Sequence, residues 1–131
     1  MKARYGIAGV MLAALAASAG VIGNLQAQTQ TKPHTAYVVI DISEMKDADA
    51  YIKAVSAAEP NATISAGGRF IVRSNAPVAL DGTAPNRFVV IAFDSAEKAK
   101  AWYSVQAISK INAVRMKVST SRAFMVEGLE K

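Results

Sequence analysis

Cysteine is absent from the 131-residue chain, and histidine occurs once, as His34. The first absence excludes disulfides, a thiolate nucleophile, a cysteine-built metal site and lipoprotein processing. The second leaves no histidine inside the folded part, so no nucleophile–histidine–acid triad can be assembled. His34 sits in a polar linker without ligand-type neighbours and is read as neither metal ligand nor base. No block of consecutive Lys or Arg occurs, so nothing marks a nucleic-acid partner. Internal repeats are missing too, and low complexity is confined to the N-terminal segment. A domain without cross-links must hold together by packing alone.

What is present begins with an export-type layout. Met1-Lys2-Ala3-Arg4 is followed by an apolar stretch from Tyr5 to Gly23, then Asn24-Leu25-Gln26-Ala27 and a polar run to Lys32. A basic start, an apolar middle and a small residue before a polar run form the pattern of a secretory signal. Residues 1–27 are read as that signal, cut after Ala27, with a cut after Ala19 as the alternative. An uncleaved anchor is the other alternative, because roughly 18 apolar residues is near the lower limit for a span. Its Ala/Gly content argues for cleavage, and no twin arginine precedes it. The expected location is periplasmic or secreted; a retained segment would tether the domain to the membrane, facing the periplasm. Of 15 basic residues Lys2 and Arg4 leave with the signal, so the formal charge falls from +5 to +3. That mild charge is ordinary for solubility.

Residues 28–34 read as a disordered linker and 35–131 as one domain. Its centre is Phe88 to Phe93, an unbroken apolar run rich in β-branched and aromatic residues. Alternation would mark a strand wet on one face; continuity marks one covered on both. Thr35–Ile42 is predicted as the first strand, Lys46–Ala58 as a helix, and Asn61–Ala66 as its continuation past Glu59-Pro60. Gly67-Gly68 ends that unit. Arg69–Arg73 is predicted as the second strand, and the Ser74–Pro85 loop is given a short strand at Val78-Ala79-Leu80 before an Asp81-Gly82 turn. After the central strand, Ser95 caps a helix with Ala99, Trp102 and Tyr103 inward, kinked near Ser104–Gln106. A further helical piece carries Ile108, Ile111 and Arg115 on one face. Ser121–Glu127 is the last strand.

The order β-α-β-β-α-β is the ferredoxin-like arrangement, an α+β fold with a four-stranded antiparallel sheet and two helices on one face. Two helices cannot cover both faces. Leaving Val39, Ile71 and Met125 in water would forgo roughly 1.5–3 kcal/mol each. The expected cover is a second copy, giving a face-to-face homodimer burying on the order of 800 Å² per partner.

Several short motifs recur in a characteristic order: Ala36-Tyr37-Val38-Val39, Asp49-Ala50-Tyr51, Gly67-Gly68-Arg69-Phe70, Leu80-Asp81-Gly82, Arg87 to Ser95, Ala101-Trp102-Tyr103-Ser104 and Val126-Glu127-Gly128. The series resembles the domain of unknown function 1330 family over about Ala36 to Gly128. The resemblance implies a dimeric α/β barrel, similar in architecture to small monooxygenases and muconolactone isomerase, and carries no established activity. Val105-Gln106-Ala107 departs from it, standing where the family has Pro, an acidic residue and Tyr. A pocket depending on that Tyr would be lost here.

Strand parity places Tyr37, Asp41, Arg69, Arg73 and Glu127 on the sheet face opposite the helices. Arg87 joins them if the central strand has the matching register. Guanidiniums and carboxylates beside a cleft can orient an acidic substrate or tune a base; the same groups can instead pair across a dimer seam. Trp102-Tyr103 and Tyr51 read as core aromatics, and Gly67-Gly68 as a turn without a phosphate-loop Lys or Ser. No cofactor or metal is expected. Two functions stay open: an exported small-molecule-binding or interaction domain, and a cofactor-independent, monooxygenase- or isomerase-like enzyme for a small acidic or aromatic substrate. A cavity of about 300 Å³ lined by Tyr37, Asp41 and Arg69 would favour the enzyme.

Overall fold

The computed structural model describes residues 34–129. The export segment with its cleavage positions, and all of the linker but His34, lie outside the described residues. Eight elements follow in order: β1 (Ala36–Met45), α1 (Ala48–Ala58), α2 (Asn61–Ser65), β2 (Arg69–Ser74), β3 (Arg87–Phe93), α3 (Ala96–Tyr103), α4 (Gln106–Val118) and β4 (Ser119–Glu127). The sheet order is β2-β3-β1-β4 with every neighbouring pair antiparallel. This is the ferredoxin-like α+β fold, and its two most apolar strands, β1 and β3, hold the centre. No helix among the described residues is long and apolar enough to cross a membrane.

Period-two alternation decides which side chains meet the helices. From β1, Val38, Ile40 and Ile42 point to the helical side; Val89, Ile91 and Phe93 join them from β3. Tyr51 of α1, Ala99 and Trp102 of α3, and Ile108 and Ile111 of α4 pack onto this layer, all buried. The Phe93 and Trp102 rings stand 5.3 Å apart at 47°, and the indole N–H donates to Thr63 Oγ1 at 3.0 Å. A large aromatic is therefore buried with its one polar atom satisfied. Gly68 lies against the same group: a Cβ there would come within 2.7 Å of Thr63 Cγ2 and 2.9 Å of the Phe93 ring. Its partner Gly67 has φ +88°, the left-handed region that ends a helix most easily with glycine.

Caps set the helix starts. The Ser95 side chain accepts from the Lys98 N–H, as expected, and Asp47 does the same for Ala50 at the start of α1. Ser43 is not a cap. β1 runs three residues further than predicted, through a register shift between Ile42 and Glu44, and the Ser43 hydroxyl donates to the Thr120 carbonyl at 3.0 Å. The break between α3 and α4 falls at Ser104 and Val105, where a kink was expected. Tyr103 points outward, 40% exposed, because Ala99 and Trp102 already occupy the narrow inward stripe of this two-turn helix. No strand forms at Val78-Ala79-Leu80: within the described chain these residues find no neighbour to pair with.

Two strands differ in parity from the sequence reading. In β2 the register shifts between Phe70, opposite Ile91, and Val72, opposite Val90, leaving Ile71 as the extra residue of a bulge. Beyond it the alternation reverses, so Val72 faces away from the helices and Arg73 toward them. In β4, Met125 pairs with Val38 and packs against the core, while Phe124 and Val126 take the open face. The run Ala123-Phe124-Met125-Val126 is apolar throughout, so only pairing with β1 decides its register.

Candidate binding site beneath the helices

The cluster expected on the open face divides. Tyr37, Asp41 and Arg69 do face away from the helices, since Tyr37 and Arg69 both pair with Ala92 and Asp41 pairs with Phe88. Arg73 does not, because the Ile71 bulge has turned it over. Arg87 does not, because it pairs with Ile42, a helix-side residue. Glu127 does not, because it pairs with Ala36, also helix-side.

The three that remain build no common cavity. Tyr37 and Asp41 are four residues apart on β1, roughly 13 Å along the strand. Tyr37 lies against Gly128, where a Cβ would fall 2.9 Å from its ring. Arg69 reaches the loop after β3, its Nη1 3.4 Å from Asp94 Oδ1, and Lys98 approaches the same carboxylate at 3.7 Å. These groups are exposed, and such pairs contribute about 0–1 kcal/mol. Asp41 accepts from Nε and Nη2 of Arg122, at 3.3 and 3.2 Å. Arg122 escaped the sequence reading because nothing before the fold places it opposite Asp41. Around this pair is a shallow depression of about 240 Å³ with Ser43, Thr120 and Ser121.

The residues that left the open face converge on the other side. Between sheet and helices a narrow, partly open cavity of about 40 Å³ has Tyr51, Glu59, Arg73, Arg87, Trp102 and Asn112 in its walls among aliphatic neighbours. It shares Tyr51, Val55 and Arg87 with a surface cleft of about 410 Å³ that also includes Asn75 and Asn86. The inner space has room for a water molecule or two; the cleft is of a size that suits a small organic molecule. Tyr37, Asp41 and Arg69, the walls expected from the sequence, do not come together in any of these spaces.

Each polar side chain here has a traceable support. The Arg87 guanidinium stands 5.8 Å from the centre of the Tyr51 ring and donates through Nη1 to Asn75 Oδ1, while its Nε is buried with no partner. The Arg73 guanidinium lies 4.6 Å over the Phe70 ring. Glu59, in the turn after α1, accepts from the Thr63 N–H at 2.8 Å and from the Thr63 hydroxyl. That hydroxyl in turn receives the Trp102 indole N–H, so one threonine fixes a carboxylate and an indole together. Asn112, 5% exposed on α4, accepts at Oδ1 from Arg115 Nη2 at 3.4 Å, and its Nδ2 has no partner. A donor from Arg115 settles the amide orientation: the carbonyl must face the guanidinium, leaving the NH₂ unpaired.

Arg115 is itself buried, held by Ser121 Oγ at 2.7 Å and placed in the last turn of α4, where a helix end favours a cation. The sequence carried one clue to this site. On α4 the buried stripe Ile108, Ile111, Arg115 also takes in Asn112, a polar residue on an apolar face. Glu59 gave no such clue, because beside Pro60 it reads as a helix end.

Chemically the cavity combines in its walls aromatic side chains with two arginines, the Glu59 carboxylate and an asparagine whose NH₂ is unpaired. It contains no histidine or cysteine, and no group of three or more metal-ligating residues occurs among the described residues. His34 lies elsewhere, its Nδ1 3.0 Å from the Gly128 carbonyl oxygen.

Comparison with solved structures supports the fold. A protein of unknown function from Rhodopseudomonas palustris aligns with a TM-score of 0.56 at 10% identity, over 86% of this chain and 94% of its own. The methylated form of that protein aligns with a TM-score of 0.61 at 12% identity, over 85% and 91%. An antibiotic biosynthesis monooxygenase-like protein from Nitrosomonas europaea reaches a TM-score of 0.50 at 15% identity, over 76% and 95%. At these identities the likeness is one of fold alone. No curated protein matches the chain. The family described as Domain of unknown function (DUF1330) matches residues 35–129, the whole of the folded part, and the chain belongs to that family.

Proposed function

We propose that this domain binds a small organic acid between its sheet and its helices, as a homodimer working outside the cytoplasm. The observation that carries the reading is the pair of buried, unpartnered donors, Arg87 Nε and Asn112 Nδ2, on two residues in the wall of a cavity that Arg73 also lines. A buried donor left unpaired costs about 1–3 kcal/mol. A carboxylate accepts only, and takes guanidinium forks in pairs. Bound in the cleft with its carboxylate turned inward at Arg87, it would meet these donors after a small side-chain shift, while Tyr51, Ile52 and Val55 cover an apolar or aromatic body and Trp102 lies just behind the carboxylate. Glu59, held by Thr63, offers an acceptor to a ligand hydroxyl.

The dimer is supported by the open face, where Ile71, Val72, Phe124 and Val126 stay exposed around the covered centre of the sheet. Large apolar side chains left in solvent along both edges of one sheet face mark an interface. Location in the periplasm or outside the cell is supported by the basic, apolar and polar succession of residues 1–32. A cofactor-independent enzyme is the second reading. It rests on Glu59 as a carboxylate inside an aromatic-walled cavity, and a chemically changed ligand recovered after incubation would favour it.

Thermal-shift measurements on residues 28–131 with a panel of small aliphatic and aromatic carboxylic acids test the binding reading. A ligand at 100 times its Kd adds about 2.7 kcal/mol, which moves the melting temperature of a domain this size by several degrees. Arg87→Ala is expected to lose the shift and Arg69→Ala, on the far face, to keep it. The opposite pattern would return the site to the open face.

A further inference from the structure

The loop between β2 and β3 carries two of the most exposed apolar side chains among the described residues, Val78 at 84% and Leu80 at 99%. They stand two residues apart in Pro77-Val78-Ala79-Leu80, which the sequence marks as a strand and which joins no strand among the described residues; in an extended chain side chains at that spacing share one side. At the opposite edge of the sheet is its counterpart. There β4 is the edge strand, its outer N–H and C=O groups unpaired by any strand among the described residues. Beside that edge runs an apolar groove of about 430 Å³ between β4 and α3, walled by Ala99, Tyr103, Phe124 and Met125 with Lys100 at the rim. A long, apolar strand edge is a template for pairing that stable proteins keep covered.

The arm follows β2 and the groove flanks β4, so three strand spacings, roughly 14 Å, separate the two edges of one sheet. In a face-to-face pair whose two-fold axis runs along the strands, each β2 edge comes to lie over the partner's β4 edge. We propose that Pro77–Leu80 of one protomer docks along β4 of the other, with Val78 and Leu80 in the β4–α3 groove. The arm becomes a strand only in the dimer. The inference rests on the dimer reading above and adds the segment that latches it.

The absence of native cysteine makes the test clean. A Leu80→Cys/Tyr103→Cys double variant, oxidised at micromolar concentration, is expected to give a disulfide-linked dimer on a denaturing gel. A Leu80→Cys/Lys53→Cys control is expected to stay as single chains. By sedimentation, Leu80→Asp, at a fully exposed position that leaves folding untouched, is expected to weaken the dimer about tenfold or more. A native dimer that neither cross-links through Tyr103→Cys nor responds to Leu80→Asp would overturn the arm and leave the dimer standing. A native chain that sediments as a monomer would overturn both.

Discussion

Phe93→Ala is expected to lower the unfolding free energy by about 3–5 kcal/mol, a loss in the range found for truncating a fully buried phenylalanine. Phe93 ends β3 and is completely buried. Its ring meets the Trp102 indole on one side and the backbone of Gly68 on another. Neither neighbour can follow it inward. The indole is tied to Thr63, and Gly68 sits where the chain turns from α2 into β2. The void should therefore persist rather than collapse, which puts the cost at the upper end. Domains of this size have 5–15 kcal/mol in all, so the variant should lose a third or more of its stability. The shift in urea midpoint at unchanged slope checks this; a loss under about 1 kcal/mol would show that the packing centre lies elsewhere.

The second large effect concerns assembly. Ile71→Asp/Phe124→Asp is expected to leave each chain folded and to weaken the dimer by about 100-fold or more, equivalent to about 2.7 kcal/mol. Both positions are open to solvent in the single chain, Ile71 at 53% and Phe124 at 43%, so carboxylates there stay hydrated in the monomer. In a face-to-face dimer the same carboxylates would lose water without gaining a partner, a cost of several kcal/mol. Sedimentation velocity across a concentration series reads the change. An unaltered dimer would show that the open face is not where two copies meet.

How much of this was legible before folding depends on the residue. Phe88 to Phe93 announced a strand covered on both faces, and its burial by helices on one side is seen directly. The uniform apolarity that made it conspicuous also hid its register, and Arg87 with it; only pairing of Arg87 with Ile42 turns that guanidinium toward the helices. Arg73 was misplaced for a different reason. A bulge is one residue of slack in hydrogen bonding between two strands, and Arg69-Phe70-Ile71-Val72-Arg73 carries no glycine or break to signal it. Glu127 and Met125 were misplaced because four consecutive apolar residues fit either parity. The topology and the caps at Ser95 and Gly67 were readable because each rests on local chemistry. The site was not, because it is assembled from β1, α1, the turn after it, β2, β3, α3 and α4. What the sequence did contain was its inventory: the arginines picked out for binding a small acid include two that do line the cavity, from the side opposite to the one expected.

Trp102 makes the central claim directly measurable. It is the single tryptophan of the chain and forms part of the cavity wall beside Glu59, Arg87 and Asn112. Titration of an acid that stabilises the protein should change Trp102 emission in a saturable way, with a Kd matching the thermal shift, and Arg87→Ala should abolish both signals together. Stabilisation of the native protein with Trp102 emission unchanged at saturation would place the ligand elsewhere and contradict the site beneath the helices.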